Sequence, residues 1–376
     1  MDRAKIAFII TKLELGGAQR SVLYTAANLD ADRFEPFLLS GSGGYLDGIA
    51  PANTAFIPAL QRAVNPFKDI PAFIRLRRAL KKINPKIVHT NSSKAGILGR
   101  LAAAFIRPRP RIIHTVHGFG FNDYQNFFAR GFYIFMERML AQYTDFLVFV
   151  SHADMDMALK LEIAPPEKCL IIRAGVEVKT KADFAGFDKA AKLAQLRLPE
   201  ETKIVLCPAN LKPQKNPLDM VRAAQIVCKK IPQAVFLYLG TGALEKQTRA
   251  LIDDFGLQNN FKLLGHRDDA PELLAVADCF ALSSLWEGLP MALVEALNMQ
   301  VPAVCYDAGG IAEVLHNGHN GFLVQRGDYR GLALGIIEVL EGRMKFVPSQ
   351  DLKEFDIEEM LKNQENLYTE LINGLL

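Results

Sequence analysis

Ser283-Ser-Leu-Trp-Glu-Gly-Leu-Pro-Met-Ala-Leu-Val-Glu295 carries two carboxylates, Glu287 and Glu295, eight positions apart across a Gly-Leu-Pro turn. The apolar run Cys279-Phe-Ala-Leu leads into it with strand character, and Met291-Ala-Leu-Val-Glu-Ala-Leu-Asn298 leads out with helical periodicity. A strand, a tight loop and a helix N-terminus leave backbone N–H groups to meet an anion or a hydroxyl-rich ligand. Glu295 lies about one turn into the helix and Glu287 in the loop before it. Both would line one cleft at the carboxyl end of a parallel sheet, where open α/β folds bind ligands. The plainer alternative is a Glu that complements the helix dipole and a second, solvated one.

Outward from this stretch the strand–loop–helix unit recurs along the whole chain. Strand-like runs fall at residues 6–10, 37–39, 87–89, 112–116 and 146–150, then at 204–207, 235–239, 262–264, 279–282 and 303–306. Amphipathic helical stretches alternate with them, which reads as α/β with parallel sheets. At 376 residues the chain exceeds the size at which one core stops growing, so two domains are expected. Residues 178–198 are rich in Lys, Ala and Asp with little β character. The expected division is a first Rossmann-like domain over 1–177, a linker over 178–200, a second Rossmann-like domain over 201–356 and a last helix over 357–376.

Composition excludes several classes. Apolar content of 50% with 23% charged residues describes a globular chain and not a disordered one. No apolar run reaches the roughly 18 residues of a spanning helix, and the opening Met-Asp-Arg-Ala-Lys leads into no signal-peptide pattern. A cytoplasmic protein is expected, peripheral on the inner face of the cell membrane if it meets lipid. The five cysteines are scattered without metal-ligand spacing, and most lie in apolar stretches that suit buried reduced thiols. Residues 1–180 carry 24 Lys and Arg against 15 Asp and Glu, a net +9, while 181–376 carry 20 against 26, a net −6. A basic first half calls for an anionic partner there, a membrane surface or a phosphorylated acceptor. Nucleic acid is not expected, because no helix-turn-helix, zinc or RNA-binding signature accompanies the charge.

Four more segments hold candidate site residues. Asn210-Leu-Lys-Pro-Gln-Lys-Asn216 follows a strand directly, and Lys212 and Lys215 would give a leaving pyrophosphate fixed positive charge. Leu15-Gly-Gly-Ala-Gln-Arg20 places Gly16 and Gly17 between a strand and a helix, where backbone can approach a phosphate or sugar closely. His114-Thr-Val-His-Gly-Phe-Gly120 ends another strand with His117, and Asn91-Ser-Ser-Lys-Ala-Gly96 sets Asn91, Ser92 and Lys94 at a strand-to-helix junction.

Taken together these segments resemble the retaining, nucleotide-sugar-dependent glycosyltransferases of family 4 (group 1), whose signature has two Glu flanking seven residues. The family's Gly-Gly-Ala-Glu-Arg appears here with Gln19 for the Glu. Its Gly-Arg-Leu pattern appears with Ala209-Asn210, so that Lys212 would supply the missing cation beside Lys215. Gly309-Gly310 and Glu313 complete the match, and Gln300 stands where relatives have Gly, so a different local turn is expected. The resemblance implies the GT-B architecture of two Rossmann-like domains facing a cleft. The acceptor domain would cover 1–177, with Asn91, Ser92 and Lys94 on the acceptor side, and the nucleotide-sugar domain 201–356, with the last helix crossing back onto the first domain. It also implies transfer of a hexosyl or N-acetylhexosaminyl group from a nucleotide-sugar to a glycan or polyprenyl-linked acceptor, as in polysaccharide biosynthesis. Glu295 would hold the ribose; Glu287, Gly288, Leu289 and Pro290 would hold the sugar; Lys212 and Lys215 would neutralise the diphosphate; His117 would face the donor sugar. Front-face attack is favoured, the departing phosphate taking the acceptor proton, with neither metal nor cofactor required.

Residues 69–84 carry Phe73, Leu76, Leu80 and Ile83 at helical spacing, with Arg75, Arg77, Arg78, Lys81 and Lys82 on the other faces. This is either a crossover helix with a solvated basic side or a helix that settles on anionic lipid. Two other functions stay open: a sugar-nucleotide epimerase of the same fold, and a non-catalytic partner binding a sugar nucleotide or membrane. Release of nucleoside diphosphate with transfer separates the enzyme from both.

Overall fold

The computed structural model describes residues 3–348 and 352–375. The chain forms two units, one of Met1–Val176 with Lys353–Leu376 and one of Glu177–Leu352.

The first unit runs β1 (Ala4–Lys12), α1 (Gly17–Asn28), β2 (Phe34–Gly41), β3 (Thr54–Phe56), α2 (Pro66–Ile83), β4 (Ile87–Asn91), α3 (Ser93–Ala104), β5 (Arg111–Val116), α4 (Phe127–Ala141), β6 (Phe146–Phe149), α5 (His152–Lys160) and β7 (Cys169–Ile171). Its seven strands lie in the order β3-β2-β1-β4-β5-β6-β7, and every pairing is parallel. Central strands such as β4 are buried along their whole length, as expected where helices cover both faces.

In the second unit follow α6 (Lys189–Gln195), β8 (Lys203–Pro208), α7 (Pro217–Lys230), β9 (Ala234–Leu239), α8 (Glu245–Asp254), β10 (Phe261–Gly265), α9 (Ala270–Val276), β11 (Cys279–Leu282), α10 (Met291–Asn298), β12 (Ala303–Tyr306), β13 (Gly321–Val324) and α11 (Tyr329–Leu340). Its sheet has the order β10-β9-β8-β11-β12-β13, again parallel. Both sheets reverse order beside their first strand, the switch-point topology of doubly wound folds.

The segment 178–200, expected as a linker, is instead the start of the second unit. Its α6 buries Leu193, and Lys192 reaches Asp269 at 2.6 Å and pairs with Glu272. The strands absent from the sequence reading are β3, β7 and β13. Each is three or four residues long at a sheet edge, so the apolar signal is short and one-sided.

The last helix, α12 (Ile357–Asn373), belongs to the first unit. Met360, Leu367, Tyr368 and Leu371 form one buried stripe against Ile6, Phe8 and Phe34. Val176 N donates to Phe355 O at 2.8 Å and Ile357 N to Val176 O at 3.0 Å, which pins the return of the chain. Gly175 is required there, because a Cβ would stand 2.3 Å from Ile357 Cα.

Two local expectations change. Gln300 does not redirect its turn. It sits at φ +54 just beyond α10, with Gln300 N on Leu297 O and Val301 N on Ala296 O, the doubly bonded helix ending that glycine usually occupies. On α2, Arg75, Arg78, Lys81 and Lys82 are exposed, but Arg77 is half-buried and donates to Phe105 O at 3.3 Å. Among the described residues no helix is long and apolar enough to cross a membrane. All five cysteines are free; Cys207, Cys279 and Cys305 are buried and Cys169 and Cys228 half-buried.

Candidate functional site

In the second unit, two loops leave neighbouring strands at their carboxyl ends and lock together. The loop after β8 carries Lys212 and Lys215, the latter closing a 3-10 turn over Pro213–Lys215. Asn216, at φ +44, then turns the chain into α7. The loop after β11 answers it. Ser283 Oγ lies 2.9 and 2.8 Å from the carbonyls of Lys215 and Asn216. Leu285 N donates to Gln214 O at 2.8 Å, and the Gln214 amide donates to Trp286 O at 2.9 Å. These bonds give each strand end a partner that water would otherwise supply.

The loops are also joined by charge. The Lys215 ammonium donates to Glu287 Oε1, and their side chains are only 19% and 8% exposed. The two residues assigned separately, one to the diphosphate and one to the sugar, therefore form a single ion pair. From the other side, the turn after β12 presses on the same loop. Gly310 N donates to Gly288 O at 2.7 Å, and a Cβ on Gly309, at φ +59, would lie 1.9 Å from Glu287 O. Leu289 and Pro290 are buried, and α10 begins just after Pro290 with no side-chain cap on its first N–H groups. Glu295 lies half-buried on α10, and Lys212 half-buried beside the turn.

In the first unit the strand ends hold a polar cluster built around histidine. His117 Nε2 lies 3.0 Å from Asn91 Oδ1. Burial pushes the His117 pKa down to about 4, so the ring is neutral near pH 7, donates to Asn91 through Nε2, and keeps Nδ1 as an acceptor. Beneath it His89 is held between Tyr368 Oη and Thr115 Oγ1, each at 2.6 Å, and burial lowers its pKa to about 3. His114, 2.9 Å from Thr90 Oγ1, is likewise pushed well below the ordinary value by burial and by nearby Arg100. Gly96 permits this packing, since a Cβ would meet His114 Cε1 at 2.5 Å.

The three acceptor-side candidates do not converge. Asn91 serves His117, Ser92 bonds Thr11 Oγ1 at 2.7 Å, and Lys94 is drawn away to Asp69 at 2.5 Å and to the Ala63 carbonyl. Lys94 is thus neutralised at the start of α2. Ser92 sits at φ +71 and ψ +148, a conformation nearly confined to glycine, and its hydroxyl contacts with Thr11 hold it there. At the start of α1 the Gly16-Gly17 pair is in place, and the Gln19 amide folds back to Lys12 O at 3.3 Å. Sequence reasoning missed the fully buried Arg100, which pairs with Glu137 at 2.6 Å below this cluster. Nothing in the residue pattern around either partner signalled that contact.

Comparison with known proteins agrees with both halves. The family model described as Glycosyltransferase Family 4 matches residues 15–180, and that described as Glycosyl transferases group 1 matches residues 188–354. The chain is 30% identical to the UDP-Gal:alpha-D-GlcNAc-diphosphoundecaprenol alpha-1,3-galactosyltransferase of Escherichia coli, over 99% of this chain and 98% of that protein. It is 27% identical to the putative glycosyltransferase EpsD of Bacillus subtilis (strain 168), over 74% of this chain and 73% of that one. Among solved structures, Anabaena Alr3699/HepE in complex with UDP and glucose is similar with a TM-score of 0.82 and 20% identity, covering 98% of this chain and 100% of that one. Two parallel doubly wound units, the paired Glu loop, and family matches to both halves lead to one assignment: the chain belongs to family 4 (group 1) of the GT-B glycosyltransferases.

Proposed function

We propose that this glycosyltransferase moves a hexosyl or N-acetylhexosaminyl group, with retention, from a nucleotide-sugar to a glycan carried on polyprenyl diphosphate. The observation that carries the reading is the Lys215–Glu287 pair at the strand ends of the second unit, with Glu287 eight residues before Glu295 in the chain. The acceptor class is supported by the full-length relative, whose acceptor is a diphosphoundecaprenol-linked sugar. A UDP-sugar is the donor to test first, since that relative uses UDP-Gal.

In this reading Glu295 accepts hydrogen bonds from the ribose, and Lys212 and Lys215 stabilise the departing diphosphate. Glu287 exchanges part of its bond to Lys215 for the sugar hydroxyls, with the backbone of Gly288, Leu289 and Pro290 beside it. Neutral His117 is a hydrogen-bonding group and not a general acid, which suits front-face attack with proton transfer to the leaving phosphate. Fixed lysine charge takes the place of a metal ion. Arg75, Arg78, Lys81 and Lys82 on α2 attract the anionic inner face of the cell membrane, where the lipid-linked acceptor resides.

The decisive experiment supplies UDP-galactose and other nucleotide-sugars with N-acetylglucosaminyl-diphosphoundecaprenol, in the presence of EDTA. Release of nucleoside diphosphate matched by a product one sugar heavier supports the reading. Epimerised donor without transfer, or binding without turnover, rejects it.

A further inference from the structure

The first unit displays an apolar ridge that its own fold does not bury. On α4, Phe128, Phe132 and Phe135 recur at i, i+4 and i+7, and are 84%, 57% and 61% exposed, with Phe127 beside them at 81%. The opposite side of that helix buries Glu137, Leu140 and Ala141, so the ridge is not a fraying core face. A Phe side chain presents on the order of 200 Å². Four at these exposures leave on the order of 500 Å² uncovered, the size of patch that on monomers usually serves a function.

A second exposed apolar set lies on α2. Phe67 is 90% exposed, and Ile70 and Ile74 follow it on one face. Helix α3 packs against both α2 and α4. Each of the three helices starts where a parallel strand ends, so the aromatic N-terminal halves lie on the same edge of the sheet as Asn91 and His117.

Charge selects the occupant. The only acids on α2 and α4 are Asp69 and Glu137, neutralised by Lys94 and Arg100, and Asp123 just before α4 faces Arg130 at 3.8 Å. Exposed Lys68, Arg75, Arg78, Lys81 and Lys82 are left on α2. Exposed rings on α4 and unopposed bases on α2 of the same unit match the interface of an anionic bilayer, with acyl boundary for the rings and headgroups for the cations.

We propose that the Phe128–Phe132–Phe135 ridge of α4 inserts into an anionic lipid bilayer, giving the protein a membrane hold that is apolar and not merely electrostatic. The proposal deepens the lipid-linked-acceptor reading and rests on it for its purpose. Basic attraction alone disappears as salt shortens the Debye length, whereas buried rings are little affected.

The test is flotation with phosphatidylglycerol vesicles at about 0.05 M and about 0.5 M NaCl, where the screening length falls from more than 10 Å to a few Å. Wild type is expected to float at both. A Phe128→Ser/Phe132→Ser/Phe135→Ser variant is expected to lose the high-salt fraction by on the order of tenfold or more. It should keep its melting temperature and its transfer to a short-chain, water-soluble acceptor analogue. An Arg75→Ser/Arg78→Ser/Lys81→Ser/Lys82→Ser variant should lose only the low-salt gain. Three results would overturn the proposal: a ridge variant that floats like wild type, a wild type that floats only at low salt, or a wild-type dimer that the ridge variant dissociates. If wild type floats at high salt yet transfers to no lipid-linked or soluble acceptor, the acceptor reading fails and the lipid contact stands.

Discussion

Lys215 and Glu287 arise from different loops, 72 residues apart in sequence, and form one largely buried ion pair at the carboxyl ends of β8 and β11. Each neutralises a charge that would otherwise be left largely shielded from water. The pair therefore clasps the two loops together.

Removing one partner strands the other. Lys215→Met and Glu287→Leu should each destabilise the protein by about 3 kcal/mol, because an uncompensated buried charge remains. The double variant should lose less than the sum of the two, with a coupling of at least about 1 kcal/mol. Urea denaturation of all four proteins measures this, and additive losses would mean that the pair carries no net interaction.

Ligand assignments separate the two glutamates. Glu295→Ala should weaken nucleoside diphosphate and sugar nucleotide alike, by about 1.5–3 kcal/mol for charged hydrogen bonds. Glu287→Gln should spare the bare diphosphate and reduce transfer. Calorimetry with both ligands decides; equal losses in both variants would reverse or remove these roles.

Gly309→Ala addresses the loop directly. A methyl group 1.9 Å from Glu287 O, on a backbone at φ +59, forces the loop holding Glu287 and Gly288 to move. Transfer should fall by at least about tenfold, since misplacing catalytic groups by about 1 Å costs up to a hundredfold. Wild-type turnover in a variant confirmed by mass spectrometry would show that the position of this loop is not critical.

Gln300→Gly should raise stability. A side chain in the left-handed region costs about 1–2 kcal/mol, and part of that gain is offset by the freer unfolded chain. A net increase of about 0.5–1 kcal/mol is expected, read as a higher denaturation midpoint with unchanged slope.

Acid should destabilise the first unit through its buried imidazoles. His89 and His114 stay neutral in the folded state because burial holds their pKa values down, to about 3 for His89, while the unfolded chain takes up protons near 6.5. The unfolded state binds more protons below pH 6.5, so stability is fully present above that value and is lost as pH falls towards the folded values. At pH 5 the His89 ring should cost about 2 kcal/mol, with a further loss from His114 and a smaller one from half-buried His117. Denaturation at about pH 7.5 and pH 5 should show this loss. His89→Gln should reduce the difference by about 2 kcal/mol; an unchanged difference would remove His89 from the account.

The residues alone carried the α/β alternation, the central strands, the helix at the end of the chain, the loops that hold Glu287, Lys212, Lys215 and His117, and the helix that holds Glu295. These are local signals, set by periodicity over five to fifteen residues and by the chemistry of strand-end turns. Edge strands β3, β7 and β13 were not legible, because a three-residue strand gains its identity from the neighbour it pairs with. Segment 178–200 was misjudged for a similar reason: α6 is anchored by Lys192 to Asp269, 77 residues later. Only tertiary structure decided that Lys215 meets Glu287, that Lys94 is spent on Asp69 and that His117 leans on Asn91. Each is a contact between side chains whose sequence separation leaves no periodic trace, and whose reach depends on loop backbones held by hydrogen bonds to other loops. Gln300 shows the converse limit: the residue type pointed to a changed turn, but two backbone hydrogen bonds at the end of α10 outweigh the cost of a side chain at positive φ.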